Sequence, residues 1–205
     1  NLYFKNLNSQ GKNDPIYTPS AQIDGMSILK IDTELPMIKS KNTSKETLIP
    51  RISFRVNPGN NMDDYSGSSA VISANGAFDI NRLGIGNSFE AGKSLTFGLD
   101  YKFDLIEDNQ SEDTSEEIKD KYLEFKLATV MRDQYEIDIP VSSTINRKNS
   151  NLFGSINNKL FNNVDLIYDF SLDNDMKTIN SNSIKTEISI NNFLTTFDFI
   201  EQRHE

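Results

Sequence analysis

Residues 81–101 read Asn81-Arg-Leu-Gly-Ile-Gly-Asn-Ser-Phe-Glu-Ala-Gly-Lys-Ser-Leu-Thr-Phe-Gly-Leu-Asp-Tyr101. A glycine-punctuated polar segment runs into a strand that alternates without a fault. Leu95, Phe97, Leu99, Tyr101 and Phe103 fall on one face; Ser94, Thr96, Gly98, Asp100 and Lys102 fall on the other. Successive side chains of a strand point to opposite sides, so a period of two separates an apolar face from a polar one. Gly84, Gly86 and Gly92 have the wrong spacing for a dinucleotide loop, and a strand rather than a helix follows them. They read as backbone punctuation.

The alternation recurs along the chain in eight segments. Leu29, Ile31, Leu35 and Met37 oppose Lys30, Asp32, Glu34 and Pro36; Ile52, Phe54 and Val56 oppose Arg51, Ser53 and Arg55. The Leu95–Phe103 strand is third. Leu123, Phe125, Leu127 and Met131 then oppose Glu124, Lys126 and Arg132, with Ala128 and Val130 blurring the contrast. A weaker fifth sets Leu152, Gly154, Ile156 and Leu160 against Ser155, Asn157 and Lys159. The sixth opposes Val164, Leu166, Tyr168, Phe170 and Leu172 to Asp165, Asp169, Ser171 and Asp173. Ile184, Ile188 and Ile190 oppose Lys185, Glu187 and Ser189, and Phe193, Thr195, Phe197 and Phe199 oppose Thr196 and Asp198. Aromatic and β-branched residues suit such pleated surfaces. Lys5 makes the opening Asn-Leu-Tyr-Phe native strand sequence rather than a protease-tag remnant.

Asn162-Asn163 and Asn191-Asn192 are expected to be two-residue type I′ hairpin turns, because asparagine tolerates positive φ. Longer polar loops, Asn174–Asn182 and Asp133–Ser150, alternate with them. Short turns on one side and long loops on the other are the habit of outer-membrane barrels. If the asparagine pairs are periplasmic, so are the Asp104–Lys121 connection and the Lys39–Thr47 turn, and residues 58–93 lie outside. Parity then forbids the alternating piece Ile72–Ile80 from crossing. It is expected in a long outer loop, either as a strand extending past the membrane or without one.

Only 36% of the 205 residues are hydrophobic, little for a soluble protein with a sizeable core, and fitting for a barrel with a wet interior. No stretch approaches the roughly 20 apolar residues of a spanning helix, whereas a barrel strand needs only about 9–11 alternating ones. A net charge of −9 and a pI near 4.7 supply no cationic surplus for a nucleic-acid partner. With no cysteine and a single histidine, His204, neither a disulfide framework nor Ser-His-Asp or His-metal chemistry is expected. No signal peptide opens the chain, and it is expected to be a fragment.

Asp173-Asn174-Asp175 resembles the start of a calcium loop, but the glycine and distal glutamate of such a loop are missing. An ordinary polar turn is expected there. The acidic run Glu107–Glu117 reads as a solvated connector, with some helix near Ser115–Lys121. Arg51, Arg55, Asp100, Lys102, Glu124 and Lys126 are expected either as cross-strand ion pairs in a wet lumen or as the lining of a path for a charged amphiphile. No catalytic constellation, cofactor site or metal site emerges, and the chain does not read as an enzyme.

Leu48-Ile-Pro-Arg-Ile-Ser-Phe-Arg-Val-Asn-Pro58, then Asn81-Arg-Leu-Gly, Phe89-Glu-Ala-Gly-Lys-Ser and Phe97-Gly-Leu-Asp-Tyr101 follow in order. Tyr122-Leu-Glu-Phe-Lys-Leu, Arg132-Asp and Ser150-Asn-Leu-Phe-Gly-Ser155 come after them. Together they resemble the C-terminal barrel of the LptD family, the lipopolysaccharide-assembly outer-membrane proteins also called organic solvent tolerance proteins, in its alphaproteobacterial form. The resemblance covers roughly residues 25–200, and the whole of 1–205 is expected to be part of that barrel domain: all-β, antiparallel and up-and-down, with about eight spanning strands.

The resemblance implies a translocon that inserts lipopolysaccharide into the outer leaflet, located in the cell outer membrane. It implies an LptE-like lipoprotein plug, and a periplasmic lipopolysaccharide bridge that docks through an N-terminal domain absent from this chain. Arg51, Arg55, Asp100, Lys102, Glu124, Lys126, Asp165, Asp169, Lys185 and Glu187 would then face the lumen. Ile52, Phe54, Val56, Leu95, Phe97, Leu99, Leu166, Phe170 and Ile188 would face lipid, with Tyr101, Phe103, Tyr168 and Phe170 as girdle aromatics. Two other readings fit the alternation: another outer-membrane barrel, such as a porin or a receptor, and a soluble secreted β-sandwich or adhesin, in which the apolar face would be buried.

Overall fold

The computed structural model describes residues 1–13, 19–59, 69–84, 89–106 and 121–203. Gly86, the acidic run Glu107–Glu117 and His204 lie outside the described residues, as does the expected helical turn except for Lys121, which opens a strand. The fold is all-β. Its strands are β1 (Leu2–Ser9), β2 (Gln22–Glu34), β3 (Met37–Lys41), β4 (Ser44–Asn57), β5 (Gly92–Leu105), β6 (Lys121–Arg132), β7 (Leu152–Phe161), β8 (Val164–Leu172), β9 (Ile179–Ile190) and β10 (Phe193–Gln202). They form one 10-stranded antiparallel sheet in the order β1-β2-β4-β5-β6-β7-β8-β9-β10, with β3 also paired to β4. Among the described residues β1 and β10 are its edges.

All eight alternating segments are strands, and the sequence reading fell short mainly at their ends. β5 runs well past Leu95–Phe103. The first segment became two strands for a local reason. Glu34 pairs with Arg51 and Met37 with Leu48, so β2 and β3 keep one register across Leu35-Pro36. Leu35 N still donates to Pro50 O at 3.1 Å. In an antiparallel pair a residue's N–H and C=O point to the same neighbour, so the donor that Pro50 lacks falls at this break. The turn expected over Lys39–Thr47 is tighter: Lys41 pairs with Ser44, leaving only Asn42-Thr43 between strands.

Phe161 pairs with Val164 and Ile190 with Phe193, so both asparagine pairs are two-residue turns as expected. They are not type I′. Asn191 alone of the four has positive φ, 53°, which is the pattern of a II′ turn. At Asn162-Asn163 a register shift between Asn158 and Phe161 accompanies the turn instead. These turns and Asn42-Thr43 lie at one end of the sheet, with the end of β5 and the start of β6. The described parts of connections 58–91, 133–151 and 173–178 lie at the other.

The buried core is not where a soluble sheet would put it. Ile72, Ala74, Ala77 and Phe78 from the first long connection and Ile139 and Ile145 from the second pack on Ala128, Val130 and Phe153. Ala128 and Phe153 pair in line with Gly98, on the polar face. Met26, Ile28 and Phe89 form a smaller cluster with Tyr3 and Ile80. The long connections thus fold back as a cap over one end of the polar face. Ile72–Ile80 lies in the long connection and does not cross, as expected, but it forms no strand: it is an irregular stretch with a single 3₁₀ turn, Gly76–Phe78, and it packs against the sheet. Its apolar residues alternated because they pack inwards, not because they extend. Ile52, Phe54, Phe97, Met131, Ile188, Phe193 and Phe197, on the opposite face, stay exposed. No helix among the described residues is long and apolar enough to cross a membrane, which says nothing of strands.

Candidate functional site

Directly paired residues of neighbouring strands share a face. Register therefore joins Glu34, Arg51 and Gly98; Arg55, Ser94 and Arg132; Asp100, Lys126, Ser155, Asp169 and Ser183; Lys102, Glu124, Asn157 and Lys185; and Asp165 with Glu187. All ten residues expected in a lumen sit on this polar face. Ile52 with Phe97, Phe54 with Leu95, Leu99 with Phe170 through Leu127 and Gly154, Val56, Leu166 and Ile188 occupy the other. Tyr101, Phe103, Tyr168 and Phe170 are on that apolar face too, the last two with ring centroids 5.5 Å apart.

The polar face carries rows of ion pairs. Arg51 reaches Glu34 at 3.1 Å and Asp100 at 3.2 Å; Lys126 meets Glu124 at 3.1 Å, Lys102 meets Asp104 at 2.7 Å, and Lys159 meets Asp165 at 3.1 Å. These are part-exposed, so each contributes about 1 kcal/mol or less.

Under the cap the chemistry changes. Glu90, fully buried, faces three arginines. Arg82 grips its Oε1 through Nε and Nη2 and also donates to Ser94 Oγ at 2.9 Å. Arg55 Nη1 lies 3.3 Å from the same carboxylate oxygen and donates to the Glu90 carbonyl at 2.9 Å. Arg132 donates to the Ala91 carbonyl, and Asn57 Nδ2 to the Glu90 carbonyl at 3.1 Å. Burial alone would raise the Glu90 pKa. Arg82, then Arg55 and Arg132, outweigh it and hold the carboxyl below its ordinary value. Segment 89–91 is thus tied directly to β4 and β6, and through Arg82 and Ser94 to β5.

Phe89 and Glu90, Arg82, Arg55 and Asn57, and Arg132 come from separate motifs, quoted above for the resemblance, that converge here. Ser150 and Asn151 from another motif fasten the second connection. Ser150 Oγ accepts from Val130 N at 2.9 Å, and Asn151 Nδ2 donates to Ser171 Oγ at 3.0 Å. Sequence reasoning named Arg55 but missed Glu90, Arg82 and Arg132 as one cluster. The available signal was apolar Ala128 and Val130 on an otherwise polar face, which marks where something packs.

Asp173-Asn174-Asp175 forms a turn closed by Met176 N donating to Asp173 O at 2.8 Å, with Asp175 paired to Lys177 at 3.6 Å. Gly84 and Gly92 have φ of 63° and 91°, so they serve the backbone. Among the described residues no three His, Cys, Asp or Glu side chains gather as a metal site would need.

No curated protein matches the chain. The family model described as LptD, LPS transport system D, matches residues 3–201, nearly its whole length. A lipopolysaccharide-transport family of the outer membrane accords with an antiparallel sheet whose apolar face is bare and whose polar face is capped. The chain belongs to the LptD family.

Proposed function

We propose that this chain is part of the C-terminal barrel wall of a translocon that delivers lipopolysaccharide into the outer leaflet of the outer membrane. One observation carries the reading. The sheet packs its cap on one end of its polar face and leaves its apolar face bare, the reverse of what water demands and what hydrocarbon allows. A soluble β-sandwich would bury Phe54, Phe97 and Phe197, all exposed here. The apolar face then meets lipid and the charged face lines the lumen, with the cap at the outer end and the two-residue turns in the periplasm. Every strand amide must be paired in hydrocarbon, so the β1 and β10 edges need partner strands. A lipoprotein plug of the LptE kind would occupy the lumen, and a periplasmic bridge would supply the substrate. The role asks for no covalent step and no cofactor.

The test has two parts on the full-length protein in cells. Lipid-soluble photolabelling should mark Leu99 and Phe170 but not Thr96; absence of label at both apolar positions would overturn the membrane assignment. Depletion should remove lipopolysaccharide from the cell surface while its synthesis continues. Unchanged surface lipopolysaccharide would replace the translocon by another outer-membrane barrel.

A further inference from the structure

A cavity of about 140 Å³ lies where the second connection meets the ends of β9 and β10, an order of magnitude above what one water needs. Two arginines line it, Arg147 and Arg203, and among the described residues no carboxylate does, in a chain of net charge −9. Arg147 is half-buried, and among the described residues its guanidinium has no ion pair or side-chain hydrogen bond. The amide side chains of Asn180 and Gln202 and the Ser181 hydroxyl, which also line the cavity, are likewise uncommitted. Among the described residues Arg203 has one carboxylate within reach, Glu201 at 3.7 Å, a distance at which the fork is not saturated.

The wall is built rather than incidental. Thr144 lines the cavity with φ of 59°, a conformation that a β-branched residue seldom adopts. It is held there because its Oγ1 accepts from Asn151 N at 3.1 Å. Ser142 Oγ exchanges bonds with both backbone groups of Ala70, at 2.9 and 3.1 Å, which ties the two connections together at the rim. Beyond it, a second cavity of about 210 Å³ shares Val71, Ser181 and Gln202 with the first and is walled by Ile72 and Ile200. Asp169, Asn182 and Ser183 also line that second cavity, so a donor-rich, cationic cavity adjoins a larger one of mixed character.

We propose that the Arg147–Arg203 cavity is a phosphoryl-binding subsite. Planar guanidinium groups match phosphate oxygens, and amide and hydroxyl donors complete the set. Two sources present that chemistry, free phosphate and the phosphorylated sugar of an amphiphile. The second rests on the translocation reading, whereas phosphoryl binding itself does not.

Titration calorimetry on the full-length protein in nanodiscs tests it with inorganic phosphate, glucosamine 1-phosphate and unphosphorylated glucosamine. Both phosphates should bind and glucosamine should not; tighter binding of the sugar phosphate assigns the site to a head group, and equal binding assigns it to phosphate alone. Arg147→Gln and Arg203→Gln should each weaken binding about tenfold, the usual scale for one charge-assisted contact. Arg147→Lys should recover part of the loss. Lys148→Gln, outside the cavity, should change nothing. Failure of both phosphates to bind, or an equal loss from Lys148→Gln, would overturn the proposal. Surface lipopolysaccharide measured in the same variants keeps that outcome separate from failure of the translocon reading, which depletion alone decides.

Discussion

The Phe78 ring occupies the space in which Gly98 would carry a side chain. A Cβ placed on Gly98 would stand 2.6 Å from both Cε2 and Cζ of that ring and 3.0 Å from the Leu127 carbonyl. The Arg51 guanidinium lies over the same ring, its Cζ 4.1 Å from the ring centroid. Arg51 pairs with Gly98 across the strands, so cation and glycine together seat the ring, and with it the cap, on the sheet.

Gly98→Ala should therefore loosen the cap. Overpacking of this kind costs about 1–3 kcal/mol. The expected result is a lower urea midpoint in lipid vesicles and faster proteolysis between residues 69 and 84. Gly25→Ala, with nothing within 4 Å of the added carbon, is the matched control and should leave both unchanged.

Gly154 makes the complementary test on the opposite face, where Phe170 lies over it and an added Cβ would collide with the ring. Gly154→Ala should lower the temperature at which the folded band is lost in heat-modifiability gels. It should leave cap proteolysis as it is, since the two glycines serve different faces.

Glu90→Gln should be the most damaging single change under the cap. It leaves Arg55, Arg82 and Arg132 buried without their shared anion, a loss of about 3–5 kcal/mol on the scale of broken buried pairs. The carboxyl's pKa is lowered in the fold relative to the ordinary 4.5. Its contribution is accordingly full above that ordinary value and is lost as pH falls through the lower folded one. Urea midpoints measured from pH 7 downwards should decline in this acidic window for the native chain, and a difference of the same size at every pH between it and Glu90→Gln would refute the assignment.

Phe97→Lys and Ser183→Lys place the same charge on opposite faces. In a bilayer a lysine facing lipid near the midplane costs about 2–4 kcal/mol. Ser183→Lys, beside Asp169 on the polar face, should be near neutral. Equal losses in vesicle refolding would argue that both faces are buried in protein.

Much of the sheet could be read from period-two alternation because each strand has a bare apolar face, and such a face leaves a clean pattern. β1 was harder: Leu2 and Phe4 alternate with Tyr3 and Lys5, but Tyr3 packs on Phe89, so its polar face is not polar. The cap defeated the same rule. Ile72, Ala74 and Phe78 keep even spacing while belonging to an irregular chain, because periodicity records which residues are buried and not the backbone that buries them. The Glu90 cluster joins residues from β4, β6 and two points of one connection, a coincidence of register invisible to any local window.

The placement of the cap also gives the sheet a mechanical polarity. Val130 is fully buried at the capped end of β6, whereas the first residues of that strand are only partly covered. Local opening costs little where few buried contacts must be broken. Fraying thus starts at the two-residue turns and dies out toward Glu90. The strands behave as staves clamped at one rim, so neighbours can splay from the unclamped end while the capped rim holds its shape.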